Sequence, residues 1–389
     1  MTSTASEAPQ KRVIGLFTNL LGVGGVQEAG RLSTKALAEI SRCRGWSFDF
    51  LSLNDPYGAQ TFLSDDVEIP FRGFARKKAR FVLAATRIAR SQSRDRDTIV
   101  VAAHPHLAMP AAAMQLASSK VRVVVMSHGI EVWRPLSSVR SWSLHRAAGV
   151  LAPSTFTAVK LTEIQKIPPS KIHRVPWPLG PAFLRLADSP QDLPVPKTFP
   201  RGRVILTVGR WMDSERYKGA DELIRATAQL QSRVADLHLA VVGTGDDLPR
   251  LRQLTAELHL DDRVHFLEAL SNEEVAACYA HADLFALPST GEGFGLVFLE
   301  AMAFAKPVVG LACGGVTDVV QHKRNGLLIP PDHMDQLPAS LEGLLQDPAL
   351  SKALGNQGAE IVRRNYSFPV FRNQLEKIVD EITAKTGRP

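Results

Sequence analysis

Along most of these 389 residues, short β-branched runs alternate with helix-length stretches, and that alternation leaves few folds open. In the first half, residues 12–17, 47–53, 98–102, 121–126 and 149–152 read as strands. The rhythm returns at residues 204–208, 237–242, 264–266, 283–287 and 307–309. Strands that are apolar throughout are covered on both faces, and the helices between them supply the covers. Each half is therefore expected to be a doubly wound α/β domain with a parallel sheet. The fold class expected is α/β, with two Rossmann-like domains facing each other across a cleft that holds the ligand.

Residues 189–202, SPQDLPVPKTFPRG, contain four prolines and no periodicity, which reads as a linker. The expected organisation is a domain at 1–184, a linker at 185–202 and a domain at 203–364. Residues 365–389 then form a terminal helix, amphipathic over 371–382, that packs back on the first domain.

The net charge of +7 hides an imbalance between the halves. Residues 1–190 carry 25 Lys+Arg against 13 Asp+Glu, and the remainder carries 21 against 26. An anionic partner is expected for the first half. Apolar residues at 45% and charged ones at 22% exclude disorder and disulfide scaffolds. No uncharged apolar stretch approaches the ~18 residues of a spanning helix. The first dozen residues are polar and carry no hydrophobic signal segment, so a soluble cytoplasmic chain is expected. Cys43, Cys278 and Cys313 lack metal-ligand spacing and are expected to be buried thiols. The histidines form no paired metal motif, and no metal is expected.

The segment richest in chemistry is Ser289-Thr-Gly-Glu-Gly-Phe-Gly-Leu-Val-Phe-Leu-Glu300. A strand runs into a Gly-rich loop, and a helix is expected to start near Gly295. The first-turn N–H groups and the dipole of a helix attract anions, and glycine lets a phosphate approach. Glu292 in the loop and Glu300 in the helix can each accept hydrogen bonds from hydroxyls. A phosphate nest flanked by two such carboxylates suits a nucleotide sugar, with one on the ribose and the other on the sugar.

This segment resembles the Glu-x7-Glu signature of retaining glycosyltransferases of GT-B architecture, family four. The resemblance spans nearly the whole chain. It includes Gly22-Val-Gly-Gly25, Ser127-His128-Gly129, Pro153-Ser154-Thr155 and Val208-Gly209-Arg210 with Lys218-Gly219. Val242-Gly243-Thr244-Gly245, Gly314-Gly315 and Asn325-Gly326 complete it. It implies that Glu300 binds the donor ribose, and that Glu292 with the backbone N–H groups of Phe294, Gly295 and Leu296 binds the sugar and phosphates. Gly243 joins the donor site. Arg210 and Lys218 neutralise the diphosphate leaving group, with Arg216 as a substitute. Fixed cations stabilise charge that builds on departing oxygens. His128 sits beside the donor sugar, and Gly24, Gly25, Glu131 and His104 lie on the acceptor side. His106 ends the same strand as His104.

Three departures from the family pattern stand out. Asp318 replaces a usual Glu, Ala305 a usual Gly, and Trp177-Pro178 a turn that usually reads Asn-Gly-Val. The loop Gly22–Gly25 lacks the third glycine of a dinucleotide fingerprint, and no acid clearly ends the second strand, which disfavours NAD.

Residues 72–96 hold nine basic groups against the single acid Asp95. At ~100° per residue, Arg76, Arg80, Arg87, Arg90 and Arg94 share one helical face, and Phe74, Phe81, Ala85 and Ile88 the opposite one. With Lys77, this basic face is expected to meet an anionic membrane surface, each cation contributing on the order of 1 kcal/mol. No aromatic stacking platform accompanies it, so no nucleic-acid partner is expected.

The expectation is a metal-independent, retaining hexosyltransferase without a cofactor. It would move a hexose, mannose favoured because His-Gly-Ile-Glu-Val-Trp resembles exopolysaccharide mannosyltransferases, from a nucleotide-diphosphate sugar such as GDP-mannose or a UDP-hexose. The acceptor would be a glycan or lipid-linked hydroxyl in polysaccharide biosynthesis, placing the chain at the inner membrane leaflet. The half carrying the Glu-x7-Glu segment has no Asp-x-Asp spacing. The alternatives are a GT-B epimerase or phosphorylase, or a nucleotide-sugar-binding protein without turnover.

Overall fold

The computed structural model describes residues 11–22, 24–65, 67–92 and 97–384, which form two compact units. The first comprises the chain up to Pro178 together with the segment from Phe368 onward, and the second runs from Leu179 to Ser367.

Among the described residues of the first unit, eight strands form one sheet. They are β1 (Lys11–Phe17), β2 (Ser47–Ser52), β3 (Gly58–Ser64), β4 (Val67–Gly73), β5 (Asp97–Ala102), β6 (Val121–Met126), β7 (Gly149–Ala152) and β8 (Ile172–Arg174). Their order is β3-β4-β2-β1-β5-β6-β7-β8, parallel throughout except for the β3–β4 hairpin. The core of one face gathers Ile14, Leu16, Val100, Val123, Val125 and Val150. The chain winds outward from β1 to β2 and β4, then returns to β5 on the other side of β1. The switch point of this sheet therefore lies between β1 and β5.

The helix Phe368–Ala384 belongs to this unit and buries Phe371, Leu375, Ile378 and Val379. Arg44, which caps the helix Gly25–Cys43, pairs with Glu376 at 2.8 Å and with Asp380.

The second unit has a six-stranded parallel sheet. Its strands are β9 (Arg203–Val208), β10 (Leu237–Val242), β11 (Val264–Leu267), β12 (Leu284–Leu287), β13 (Val308–Leu311) and β14 (Leu327–Ile329), ordered β11-β10-β9-β12-β13-β14. Here the switch point lies between β9 and β12.

Several expectations need correction. The division falls at 178/179, not within 185–202. Residues 181–188 are a helix whose Phe183 packs edge-on against Phe304 at 5.7 Å and Tyr279 at 6.3 Å, so this stretch is built into the second unit. The second return falls at 367/368 instead of 364/365, because Tyr366 O accepts from Leu179 N at 2.8 Å. Cys278 is buried, but Cys313 is half-buried and Cys43 is exposed at the end of its helix.

The basic helix is Lys78–Gln92, which leaves Arg76 and Lys77 off it. Both Ala75 and Arg76 have positive φ, +45° and +64°, so the backbone turns there before the helix begins. Phe74 also precedes the helix, yet it is buried against Phe81 at 5.3 Å. Lys77 and Arg80 lie 5.0 and 5.7 Å from the centre of the exposed Tyr57 ring. Arg80, Arg87 and Arg90 are exposed on the helix, whereas Phe81, Ala85 and Ala89 are buried. Arg94, Asp95 and Arg96 lie outside the described residues.

Candidate functional site

In the second unit, two loops meet at the switch point because β9 and β12 pair directly. The loop after β9 carries Arg210, a 3-10 segment Asp213–Lys218, and Gly219. The loop after β12 carries Glu292 and runs into the helix Leu296–Ala303. Thr290 N donates to Tyr217 O at 2.9 Å, stitching the two loops together. Lys218 Nζ donates to Glu292 Oε1 at 2.9 Å, and both side chains are only about 15% exposed (14% and 15%). A third loop joins them, since Gly315 N donates to the Glu292 carbonyl at 2.8 Å.

Two glycines are required by geometry. Gly243, just past β10, has φ +126°, and a Cβ there would fall 1.9 Å from Gly209 O. Only glycine lets the loops after β9 and β10 touch in this way. Gly295 has φ +94° and is the N-cap of the helix Leu296–Ala303. The first N–H groups of that helix have no intrahelical partner and stand at its positive end. The Gly-rich loop, the helix start, Lys218 and Glu292 thus share one end of one sheet.

Glu300 lies within that helix, and the Tyr279 hydroxyl donates to its Oε2 at 2.8 Å. Arg210 is exposed and paired with Glu215, whose hydrogen bond raises the guanidinium pKa above its ordinary value. Arg216 pairs with Asp213 in its own turn and stands 3.5 Å from Asp247 at the start of the helix Leu248–Glu257, so its charge is already engaged. Burial first, then Glu215 and Glu292, raise the Tyr217 phenol above the usual range. Glu215, Tyr217 and Tyr279 were not singled out in the sequence. No spacing signals them, because their places follow from one 3-10 turn and one helix crossing.

In the first unit, the switch point holds the loop after β1. Asp55 accepts hydrogen bonds from Leu20 N at 2.6 Å, Leu21 N at 3.2 Å and Ser52 Oγ at 2.5 Å. This buried carboxylate, three residues past β2, takes loop donors that a bound anion would otherwise meet. Gly24, with φ +134°, caps the helix that begins at Gly25, and Val23 lies outside the described residues.

Beside that loop, three histidines gather past the ends of β5 and β6. His104 stacks on His128 at 5.6 Å, and His128 stacks on the buried Trp177 at 5.2 Å. His128 Nε2 lies 2.7 Å from Ala103 O, which can only accept, so that nitrogen carries the proton. Glu131 Oε1 accepts from His128 N at 2.5 Å and so anchors the turn. His104 Nδ1 accepts from His106 N at 3.1 Å. Burial, then the charges of His128, His106 and Arg140, push the His104 pKa down to about 3. Burial likewise lowers His106. The stacking of Trp177 on His128 gives a physical place to one departure from the family pattern.

Two family descriptions match the chain. "Glycosyl transferases group 1" covers residues 189–361, and "Glycosyltransferase Family 4" covers residues 24–179. The chain is 32% identical over 169 residues to a GDP-mannose-dependent alpha-(1-6)-phosphatidylinositol monomannoside mannosyltransferase of Mycolicibacterium smegmatis, covering 42% of this chain and 44% of the relative. It is 35% identical over 182 residues to a D-inositol 3-phosphate glycosyltransferase of Corynebacterium aurimucosum, covering 45% and 42%. The similarity thus spans less than half the length of either relative. Sucrose-phosphate synthase from Thermosynechococcus elongatus superposes with a TM-score of 0.77 at 22% identity, over 97% of this chain and all of that one. The two parallel-sheet α/β units are those of the GT-B architecture.

Proposed function

We propose, for a chain that belongs to the group 1 glycosyl transferases of family four, that it moves a hexose from a nucleotide-diphosphate sugar to a glycan or lipid-linked hydroxyl with retention. The observation that carries this reading is the Lys218–Glu292 pair beside the start of the helix Leu296–Ala303, at the switch point of the second sheet. Breaking a glycosyl–phosphate bond builds charge on the departing diphosphate. The Lys218 ammonium and the N–H groups at the helix start are cations and dipoles already fixed in place for it. Arg210 can release Glu215 and turn to the phosphates, since its side chain is exposed.

In the same reading, Glu292 holds the transferred sugar and Glu300 the ribose. His128, donating from Nε2, is oriented by Ala103 and Trp177 to accept a hydrogen bond from a sugar hydroxyl at Nδ1. The acceptor oxygen attacks the anomeric carbon from the face the nucleotide leaves. Its proton passes to the departing phosphate oxygen, so no general base is assigned. Mannose and GDP are favoured by the mannosyltransferase relative. Phosphate neutralisation by Lys218 and the helix start makes the reaction independent of a metal.

A second observation supports peripheral association with an anionic leaflet. The helices Lys78–Gln92, Ala108–Ala117 and Ser138–His145 pack side by side, and their sequences contain no acidic residue. They expose Leu83, Met109, Leu116, Val139 and Trp142 among Arg80, Arg90 and Arg140. Apolar groups among cations, with an interfacial tryptophan, suit a lipid headgroup region. Among the described residues, no helix is long and apolar enough to cross a membrane.

Thermal unfolding with UDP, GDP, ADP or buffer, each with and without EDTA, tests the site. A ligand at 100 times its Kd adds about 2.7 kcal/mol. One nucleotide should raise the midpoint, and EDTA should leave that rise unchanged. No rise with any nucleotide would overturn the donor-site reading.

A further inference from the structure

We propose that Tyr279 is a positioning residue for ribose recognition, acting through Glu300. The inference rests on the donor-site reading above and adds a residue to it.

Tyr279 is completely buried, and its hydroxyl donates to Glu300 Oε2 at 2.8 Å. A buried phenol needs a partner, and a hydrogen bond to a carboxylate is stronger than one between neutral groups. The ring cannot swing away. Phe304 lies parallel to it at 6.1 Å and 9°, Phe285 stands at 5.8 Å, and Phe183 meets it edge-on at 6.3 Å. Tyr279 comes from the helix Asn272–His281, whose start is fixed by a capping box between Ser271 and Glu274. Burial and the neighbouring Glu300 raise the phenol pKa well above its ordinary value, so the hydroxyl remains a donor.

The helix before β12 therefore grips a carboxylate carried by the helix after β12. A glutamate side chain otherwise loses considerable rotamer freedom when it binds a ligand. With Oε2 held, that loss is met during folding, and the carboxylate faces the ribose already oriented. Nothing in this arrangement requires Tyr279 to touch the nucleotide.

The test is a cycle between Tyr279→Phe and removal of the ribose hydroxyls. Phenylalanine keeps the ring and its stacking partners but lacks the donor. Calorimetry would compare the nucleoside diphosphate that wild type binds most tightly with its 2′,3′-dideoxy form, for wild type and variant. The variant should bind the diphosphate about tenfold more weakly, as for loss of a hydrogen bond to a charged group. It should bind the dideoxy form within about twofold of wild type, an interaction energy confined to the pair. Equal weakening toward both ligands, or no weakening toward either, would overturn the assignment. Wild type that binds no nucleoside diphosphate would overturn the donor-site reading itself, and it is recognised without the variant. A variant whose unfolding midpoint falls while its binding is unchanged would mark the bond as structural only.

Discussion

Lys218 and Glu292 are separated by 74 residues, yet their charged ends meet at 2.9 Å where β9 and β12 lie side by side. The pair is mostly desolvated. Each charge therefore depends on the other, and in the proposed reaction a diphosphate offers Lys218 a second anion.

Removing one partner leaves the other charge largely buried and unpaired. Lys218→Met and Glu292→Gln should each lower turnover by 10²-fold or more, in the range seen when a transition-state donor is lost. The double variant should be more stable to urea than Lys218→Met alone. Steady-state kinetics and urea melts of the three proteins check this, and near-normal turnover in both single variants would sink the proposed site.

Gly243→Ala places a methyl group against Gly209 O and forces a side chain into φ +126°. Steric conflict with backbone and a strained φ together should cost more than about 2 kcal/mol of stability. Nucleotide binding should weaken as well, because the loop after β9 must shift. Urea unfolding and a nucleotide titration of the variant read both effects.

His104 ties stability to acid. Its folded pKa of about 3 lies below the ordinary 6.5, so between these values the unfolded chain binds more protons. The stabilisation is complete above pH 6.5 and is lost as pH falls toward 3. The slope from this group is at most about 1.4 kcal/mol per pH unit. Replacing it in His104→Asn, which can still accept from His106 N, should flatten the acid limb. Urea melts at pH 7.5 and pH 5.5 should therefore differ less for the variant than for wild type.

If the helices Lys78–Gln92, Ala108–Ala117 and Ser138–His145 meet lipid, Arg80→Glu/Arg90→Glu and Trp142→Ala should each reduce sedimentation with anionic liposomes. The charge variant should respond to salt less than wild type does, whereas the tryptophan variant should keep the salt response. Equal sedimentation of wild type with neutral and anionic vesicles would refute the membrane reading.

The central strands could be read directly because both faces are buried, as in β6 with Val121, Val123, Val124 and Val125. The β3–β4 hairpin escaped that reading because its side chains alternate between core and solvent, which interrupts the apolar run. β8 and β14 are three residues each, too short to show a pattern. The Glu-x7-Glu spacing and the switch-point loops were likewise legible, since both depend on local order along the chain. What could not be read was who holds whom. Glu215 on Arg210, Tyr279 on Glu300 and Asp55 on the loop after β1 are contacts between segments, and no periodicity encodes them. Arg76 shows a different failure: two consecutive residues of positive φ break a pattern that spacing alone would continue.

The helix Phe368–Ala384 completes the first unit although the whole second unit is translated before it. During synthesis, the early helix Gly25–Cys43 waits for the helix Phe368–Ala384, against which it packs. The second unit has no such delay, because Leu179 to Ser367 is one continuous stretch. It can close first, leaving the earlier-made sheet with one apolar flank open to chaperones until the segment Phe368–Ala384 emerges.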